Sequence, residues 1–166
     1  MTGEIERLLD ATGWQLLEAL QQQARLSYRE LGQRVGLSAP AVSERVRRLE
    51  EAGLITGYHA EVNLDRLGLP VRAIIRMSLA SGQSSARAIA SIREIAEVIE
   101  CSRVTGEETL ILKGVATSVE HLESLIDRLL AYGSLTTSLI LSTPIPRRVV
   151  TPDILAWGRR KAKNAL

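Results

Sequence analysis

The side chains best placed for chemistry lie on one short stretch, Ser38 to Glu51. Read as a helix at 100° per residue, it puts Val42, Val46 and Leu49 within about 60° of one another as a buried stripe. The opposite face carries Pro40, Ser43, Glu44, Arg47, Arg48 and Glu51. Arginines on such a face suit phosphate contacts, and small polar residues near the helix start suit base edges. The plainer alternative is a solvated face on which Arg47 and Arg48 pair with Glu44 and Glu51 along the helix. Arg45, at the edge of the stripe, reads as a structural arginine. Little else offers chemistry. His59 and His121 are far apart, with no acid or nucleophile at a catalytic spacing. The lone Cys101 cannot form an intrachain disulfide, no Cys/His cluster has zinc spacing, and Cys101 reads as a small buried hydrophobe on an apolar strand. No cofactor or metal is expected. Aromatic residues make up 3% and Phe is absent, so base-stacking platforms are not expected either.

The elements that must position this helix follow from the local signals. Apolar residues from Ile5 to Leu20 recur at helical spacings, interrupted at Thr12-Gly13, and predict a first helix firmest from Asp10 to Gln23. Ser27-Tyr28-Arg29-Glu30 has the capping-box pattern for a second helix to about Val35. Gly36 stops it, Leu37 is an apolar plug, and Ser38 caps the third helix, which ends before Gly53. The product is a helix-turn-helix. Residues 55–63 read as a wing or connecting strand, with Tyr58 and His59 on it, and residues 64–70 as a linker.

Beyond the linker the periodicities alternate. Val71 to Leu79 reads as strand, Ser84 to Ile95 as helix, and Glu97 to Thr105 and Leu110 to Val115 as strands. Thr117 to Glu120 offers a further capping box for a helix closed by Gly133, and Leu135 to Thr143 is the last strand. The order β-α-β-β-α-β is ferredoxin-like, with two helices on one sheet face. An apolar open face on the other side predicts a homodimer. The fold class is therefore α+β, a winged helix-turn-helix followed by a ferredoxin-like domain. The expected division is 1–54, a wing or linker at 55–69, a second domain at 70–146, and a tail at 147–166.

Charge does not single out a partner. The net charge is +2, and residues 1–63 hold seven arginines against nine acids. The surplus sits in the tail, where Arg147, Arg148, Arg159, Arg160, Lys161 and Lys163 face one acid, Asp153. That tail reads as solvated and partly disordered, with added phosphate contacts as the alternative. There is no membrane-length apolar run and no recognisable leader, so a reducing, cytoplasmic setting is expected.

Several segments together carry a family resemblance. They are Leu9-Asp10, Leu16-Leu17, Ala24-Arg25-Leu26-Ser27, Leu31-Gly32, Val35-Gly36-Leu37-Ser38, the run Val42 to Glu50, Gly53-Leu54-Ile55 and Gly57-Tyr58. Over about Leu8 to Thr143 the chain resembles the Lrp/AsnC, or feast/famine, transcription regulators. The resemblance implies a dimeric α+β barrel built from two second domains, assembly to tetramers or octamers, and nucleoid-associated DNA binding with bending or wrapping. Ser27, Ser38, Ala39, Pro40, Ser43, Glu44, Arg47 and Arg48 are then the expected DNA-binding residues. It also implies an amino-acid effector site at Thr105, Gly106, Glu107 and Thr109, joined by Thr136 and Thr137 on the last strand. There the chain departs from the common Gly-Asp-x-Asp pattern: Gly106 matches, Glu107 is a longer acid, and Thr109 replaces the second carboxylate. The loop thus has two readings, an effector pocket and a simple hairpin turn. The two-domain layout also resembles that of sirohaem decarboxylases, which keeps an enzyme as the rival class. An interaction module without DNA binding is the third.

Overall fold

The first helices form where caps and apolar stripes coincide. In the computed structural model, which describes residues 3–155, the helical part comprises α1 (Gly3–Leu8), α2 (Ala11–Gln22), α3 (Tyr28–Val35) and α4 (Ala39–Glu51). Asp10 caps α2 by accepting the Gly13 N–H at 2.7 Å, so the pattern expected as one interrupted helix is two. Ser27 caps α3 in a complete capping box, and Gly36 closes it in the left-handed region at φ 70°. Leu16, Leu31, Val42, Val46 and Leu49 are almost wholly buried and form one core, on which Leu37 packs. The helix-turn-helix angle depends on a close approach: a Cβ at Gly32 would stand 2.4 Å from the Leu37 carbonyl oxygen.

Two compact units divide the chain. Among the described residues, one holds those up to Ala60 together with 145–155, and the other is Glu61–Pro144. The expected strand over residues 55–63 does not form. A strand needs a ladder partner for its backbone groups, and among the described residues none pairs with this segment.

The second unit comprises β1 (Val71–Leu79), α5 (Ser85–Arg93), β2 (Val98–Arg103), β3 (Leu110–Ala116), α6 (Val119–Leu130) and β4 (Gly133–Leu139). Its four antiparallel strands run in the order β2-β3-β1-β4, the ferredoxin-like arrangement. Ala73, Ile75 and Met77 of β1 and Leu110 and Leu112 of β3 meet Ile92 and Ile95 on one side and Leu122, Leu125 and Leu129 of α6. Four local expectations change. Ser118, not Thr117, caps α6, accepting the His121 N–H at 3.2 Å. Gly133 opens β4 instead of closing α6, which Ala131 ends; it pairs with Leu79 so closely that a Cβ there would lie 2.2 Å from the Ser78 carbonyl oxygen. β4 stops at Leu139 rather than Thr143, since its partner β1 begins at Val71 and the last rung is Ile140 N–H to Arg72 O. Cys101 is exposed, not buried, and lies on β2, an edge strand whose residues beyond Val98 are all exposed. Nor is the open face uniformly apolar. Ladder register puts Arg72, Ile74, Arg76 and Ser78 there beside Ile111 and Lys113 of β3 and Ser134, Thr136 and Ser138 of β4.

One polar cluster ties sheet to helix. Glu97, before β2, has a side chain only 18% exposed, and its carboxylate meets His121 Nε2 at 3.0 Å and the Arg128 guanidinium. His121 Nδ1 accepts the Thr117 N–H, which leaves Nε2 to donate to Glu97. The His121 hydrogen bond, with Arg128 beside it, pulls the Glu97 carboxyl down to about 2 from 4.5. A lowered carboxylate contributes stability that is complete above its unfolded value and is lost as pH falls through the folded one. The melting temperature is therefore expected to drop between about pH 4.5 and pH 2, and less so in Glu97→Gln. Thermal melts of both proteins over that range decide it; parallel curves would mean the cluster contributes nothing.

Candidate nucleic-acid interface

The presentation of α4 is set by its buried stripe. With Val42, Val46 and Leu49 turned inward, Ser38 and Pro40 are exposed at its start and Arg47 and Arg48 along its outer face. Ala39, Ser43 and Glu44 are partly exposed beside them. The Ser38 hydroxyl accepts the Ala41 N–H at 3.4 Å, and Pro40 sits in the first turn, where a missing N–H is harmless. Arg45 turns away from that face and binds both oxygens of Asp10 at 2.9 Å, locking α4 to the start of α2. Arg45 and the Gly13 N–H hold the Asp10 carboxyl below its usual range.

The outer face has its own ion pairs. Arg47 meets Glu44 at 2.7 Å and also pairs with Glu51, while Arg48 meets Glu44 at 2.8 Å. The two arginines pull the Glu44 carboxyl down to about 2, and Glu44 and Glu51 in turn raise the Arg47 guanidinium further above its ordinary value. The pairs are solvent-exposed, with the Arg47 and Arg48 side chains 53% and 60% accessible. Water screens such exposed pairs and leaves them weak, so a phosphate can replace the acids. Glu44 thus holds two guanidiniums upright without tying them up. At the start of α3 the Ser27 N–H and hydroxyl are both taken by Glu30, at 2.7 and 2.6 Å.

The second set of expected residues is less tightly gathered. Residues 104–109 join β2 to β3, with Gly106 at φ 124°, a conformation that disfavours other residues. The Val104 N–H binds Thr109 O, the Thr109 N–H binds Met77 O, and the Ser78 hydroxyl binds Glu107 O at 3.0 Å. The loop is thereby anchored to the end of β1, with Thr105 and Glu107 exposed. Arg76 lies 3.9 Å from Glu108 and in register with Thr136, so these three share the open face. Thr137 pairs with Ile75 on the opposite face, where its hydroxyl is buried without a hydrogen-bond partner.

Comparison with known proteins sets these two units in a family. The winged helix-turn-helix DNA-binding family matches residues 9–56, and the Lrp/AsnC ligand binding domain matches residues 72–150. The HTH-type transcriptional regulator YezC of Bacillus subtilis is 41% identical over 135 residues, which are 81% of this chain and 95% of YezC. The chain belongs to the Lrp/AsnC family of transcriptional regulators. The regulatory protein AsnC of Escherichia coli is 31% identical over 86% of this chain and 96% of its own length. The solved structure of Bacillus subtilis LrpC superposes with a TM-score of 0.79 at 34% identity, covering 84% of this Lrp/AsnC chain and 99% of LrpC. A Neisseria meningitidis regulator solved as a complex with L-methionine superposes at 0.81 with 28% identity, over 89% of this chain and 99% of its own. The α+β architecture expected from the sequence is thus that of the family.

Besides the Arg45–Asp10 bond and the Glu97 cluster, two more interactions of this Lrp/AsnC chain escaped the sequence reading. The Tyr58 hydroxyl donates to Glu50 at 2.8 Å, tying the segment after α4 back to its last turn, and partial burial followed by that carboxylate pushes the phenol up. No local periodicity marks such a pair. Gln21 on α2 bonds the backbone of Val150, 129 residues away, which no spacing rule detects. No helix among the described residues is long and apolar enough to cross a membrane, and no group of acids, His and Cys among them is placed for a metal ion.

Proposed function

We propose that this regulator binds double-stranded DNA with α4 in the major groove, as part of a homodimer that assembles to tetramers or octamers on the nucleoid in the cytoplasm. The observation that carries the reading is the pair of exposed guanidiniums, Arg47 and Arg48, on a helix whose orientation is fixed by its buried stripe and by the Arg45–Asp10 bond. Arg47 and Arg48 hold phosphates. Ser38, Ala39, Pro40 and Ser43 meet base edges, with Glu44 positioning the arginines, and the Ser27 end of α3 lies on the backbone. Two such helices in a dimer read half-sites about one helical turn apart, and larger assemblies bend or wrap the duplex. The mixed open face of the sheet and the unpaired residues 55–63 support a second copy as the dimer partner.

The loop at Thr105, Gly106, Glu107 and Thr109, with Thr136 on the open face of β4, is the proposed effector site; Thr137, expected beside it, turns to the opposite face and is left out of it. Loop amides hold a carboxylate and Glu107 an ammonium. A relative binds L-methionine, which supports an amino acid as the effector class. The protein acts without catalysis, and a tetrapyrrole mixed with it should show no spectral shift and no decarboxylation. The deciding experiment is binding to genomic fragments, including its own promoter, against salt and against individual amino acids. Tight, salt-sensitive binding altered by one amino acid is the expected result. Binding indifferent to every amino acid would remove the effector role, and no binding would remove the DNA reading.

A further inference from the structure

The chain after β4 does not stay with the sheet unit. Its described residues from Ile145 belong to the helical unit, while Arg159, Arg160, Lys161 and Lys163 lie outside the described residues. The anchor is a two-point clamp. The Gln21 carboxamide accepts the Val150 N–H at 2.9 Å and donates to the Val150 carbonyl at 3.0 Å, the pairing that a strand neighbour would offer. Gln21 is in the last turn of α2, and the turn that follows leads to Ser27 at the start of α3. In a helix-turn-helix the first helix, here α3, crosses the sugar-phosphate backbone.

Two cations lie just before the clamped residue in the chain. Arg147 and Arg148 immediately precede the clamp, are exposed, and make no ion pair among the described residues. They differ in this from Arg47 and Arg48, whose charges are shared with acids of their own helix. Arg25 in the same turn and Arg29 on α3 are likewise exposed and form no ion pair among the described residues. An anion of extended, repeating charge fits such a set better than a single small ion, because the cations come from three separate segments.

Resting on the reading of α4 as the DNA-binding helix, we propose that Arg147 and Arg148, pinned to α2 through Gln21, form a second phosphate-contacting element of the DNA-binding unit. Val150 then acts as a fastener, and the segment's job is to hold charge at a set place along the duplex. The clamp matters because a cation held in place loses less freedom on binding than one at the end of a loose chain.

The test is a salt titration of duplex DNA binding with the full chain, with the double variant Arg147→Gln/Arg148→Gln, and with Gln21→Ala. Each phosphate contact contributes about 0.9 to the slope of log K against log salt, so the double variant should lower its magnitude by about 2 and weaken binding roughly tenfold or more near 0.1 M salt. Gln21→Ala removes no charge yet should also weaken binding several-fold by releasing the segment. Melting curves matching the parent would show that both variants keep the fold. An unchanged slope in the double variant, with the parent binding normally, overturns the proposal and leaves the α4 reading intact. A weakened double variant beside an unaltered Gln21→Ala overturns the pinning. Failure of the parent to bind any duplex removes both readings together.

Discussion

Reversing both charges on the outer face of α4, in a chain carrying Arg47→Glu and Arg48→Glu, is expected to weaken duplex DNA binding by at least ~100-fold. A hydrogen bond to a charged group is worth roughly 1.5–3 kcal/mol, so removing two phosphate hydrogen bonds together costs several kcal/mol before any repulsion is counted. Against this stand the pairs with Glu44 and Glu51, which are exposed and screened by solvent and therefore weaker. The phosphate wins, and the intrahelical acids only set how upright the guanidiniums stand. The slope of log K against log salt should fall by about 2 as well. Because the reversed residues add acids beside Glu44, Glu50 and Glu51, the neutral variant Arg47→Gln/Arg48→Gln is the companion measurement, with a smaller loss and the same change of slope. Affinity equal to the parent in both variants would move the DNA-binding surface off α4.

The second large effect concerns the angle between α3 and α4. Gly32→Val should destabilise the helical unit by about 3 kcal/mol or more and abolish DNA binding, although residue 32 touches no DNA in the proposed arrangement. Its added Cβ would meet the Leu37 carbonyl oxygen at 2.4 Å, and that atom is backbone, so relief requires the turn leading to Ser38 to open. Opening it swings α4 out of the orientation set by Val42, Val46 and Leu49. Gly36→Ala is the contrast, since nothing lies within 4 Å of its added Cβ and only the left-handed φ of 70° is strained. Its cost should be about 1 kcal/mol, with DNA binding retained. Denaturant unfolding of the two variants and the parent separates steric clash from backbone strain. Equal costs would mean that the close approach at Gly32 is not what sets the turn.

Much of the helical unit could be read directly. The Ser27–Glu30 box, the Gly36 stop, the Ser38 cap and the three-residue stripe of α4 are local devices, each complete within one or two turns. The same holds for the strand and helix order of the second unit, where apolar alternation and 3.6-residue periodicity distinguish β1 from α5. Reading went astray where a local pattern was ambiguous between neighbours. Thr117 and Ser118 both suit a helix cap, and only the backbone geometry puts Ser118 there. Thr136 and Thr137 look equivalent in a row of polar residues, yet strand alternation sends their side chains to opposite faces.

By itself, then, the order of residues determined the helices and strands outside residues 55–63, where α3 and α4 start and stop, and which face of α4 turns outward. These are decided by interactions within a few positions, which the chain makes wherever it is. Only the tertiary structure decided that Arg45 is spent on Asp10, that Glu97 gathers His121 and Arg128, that residues 55–63 find no strand partner, and that Val150 returns to Gln21. Each of those outcomes joins groups far apart in sequence, or depends on a partner for backbone hydrogen bonds. Nothing in a local window of side chains specifies such pairings, because they form only after the cores have set the distances between the elements that carry them.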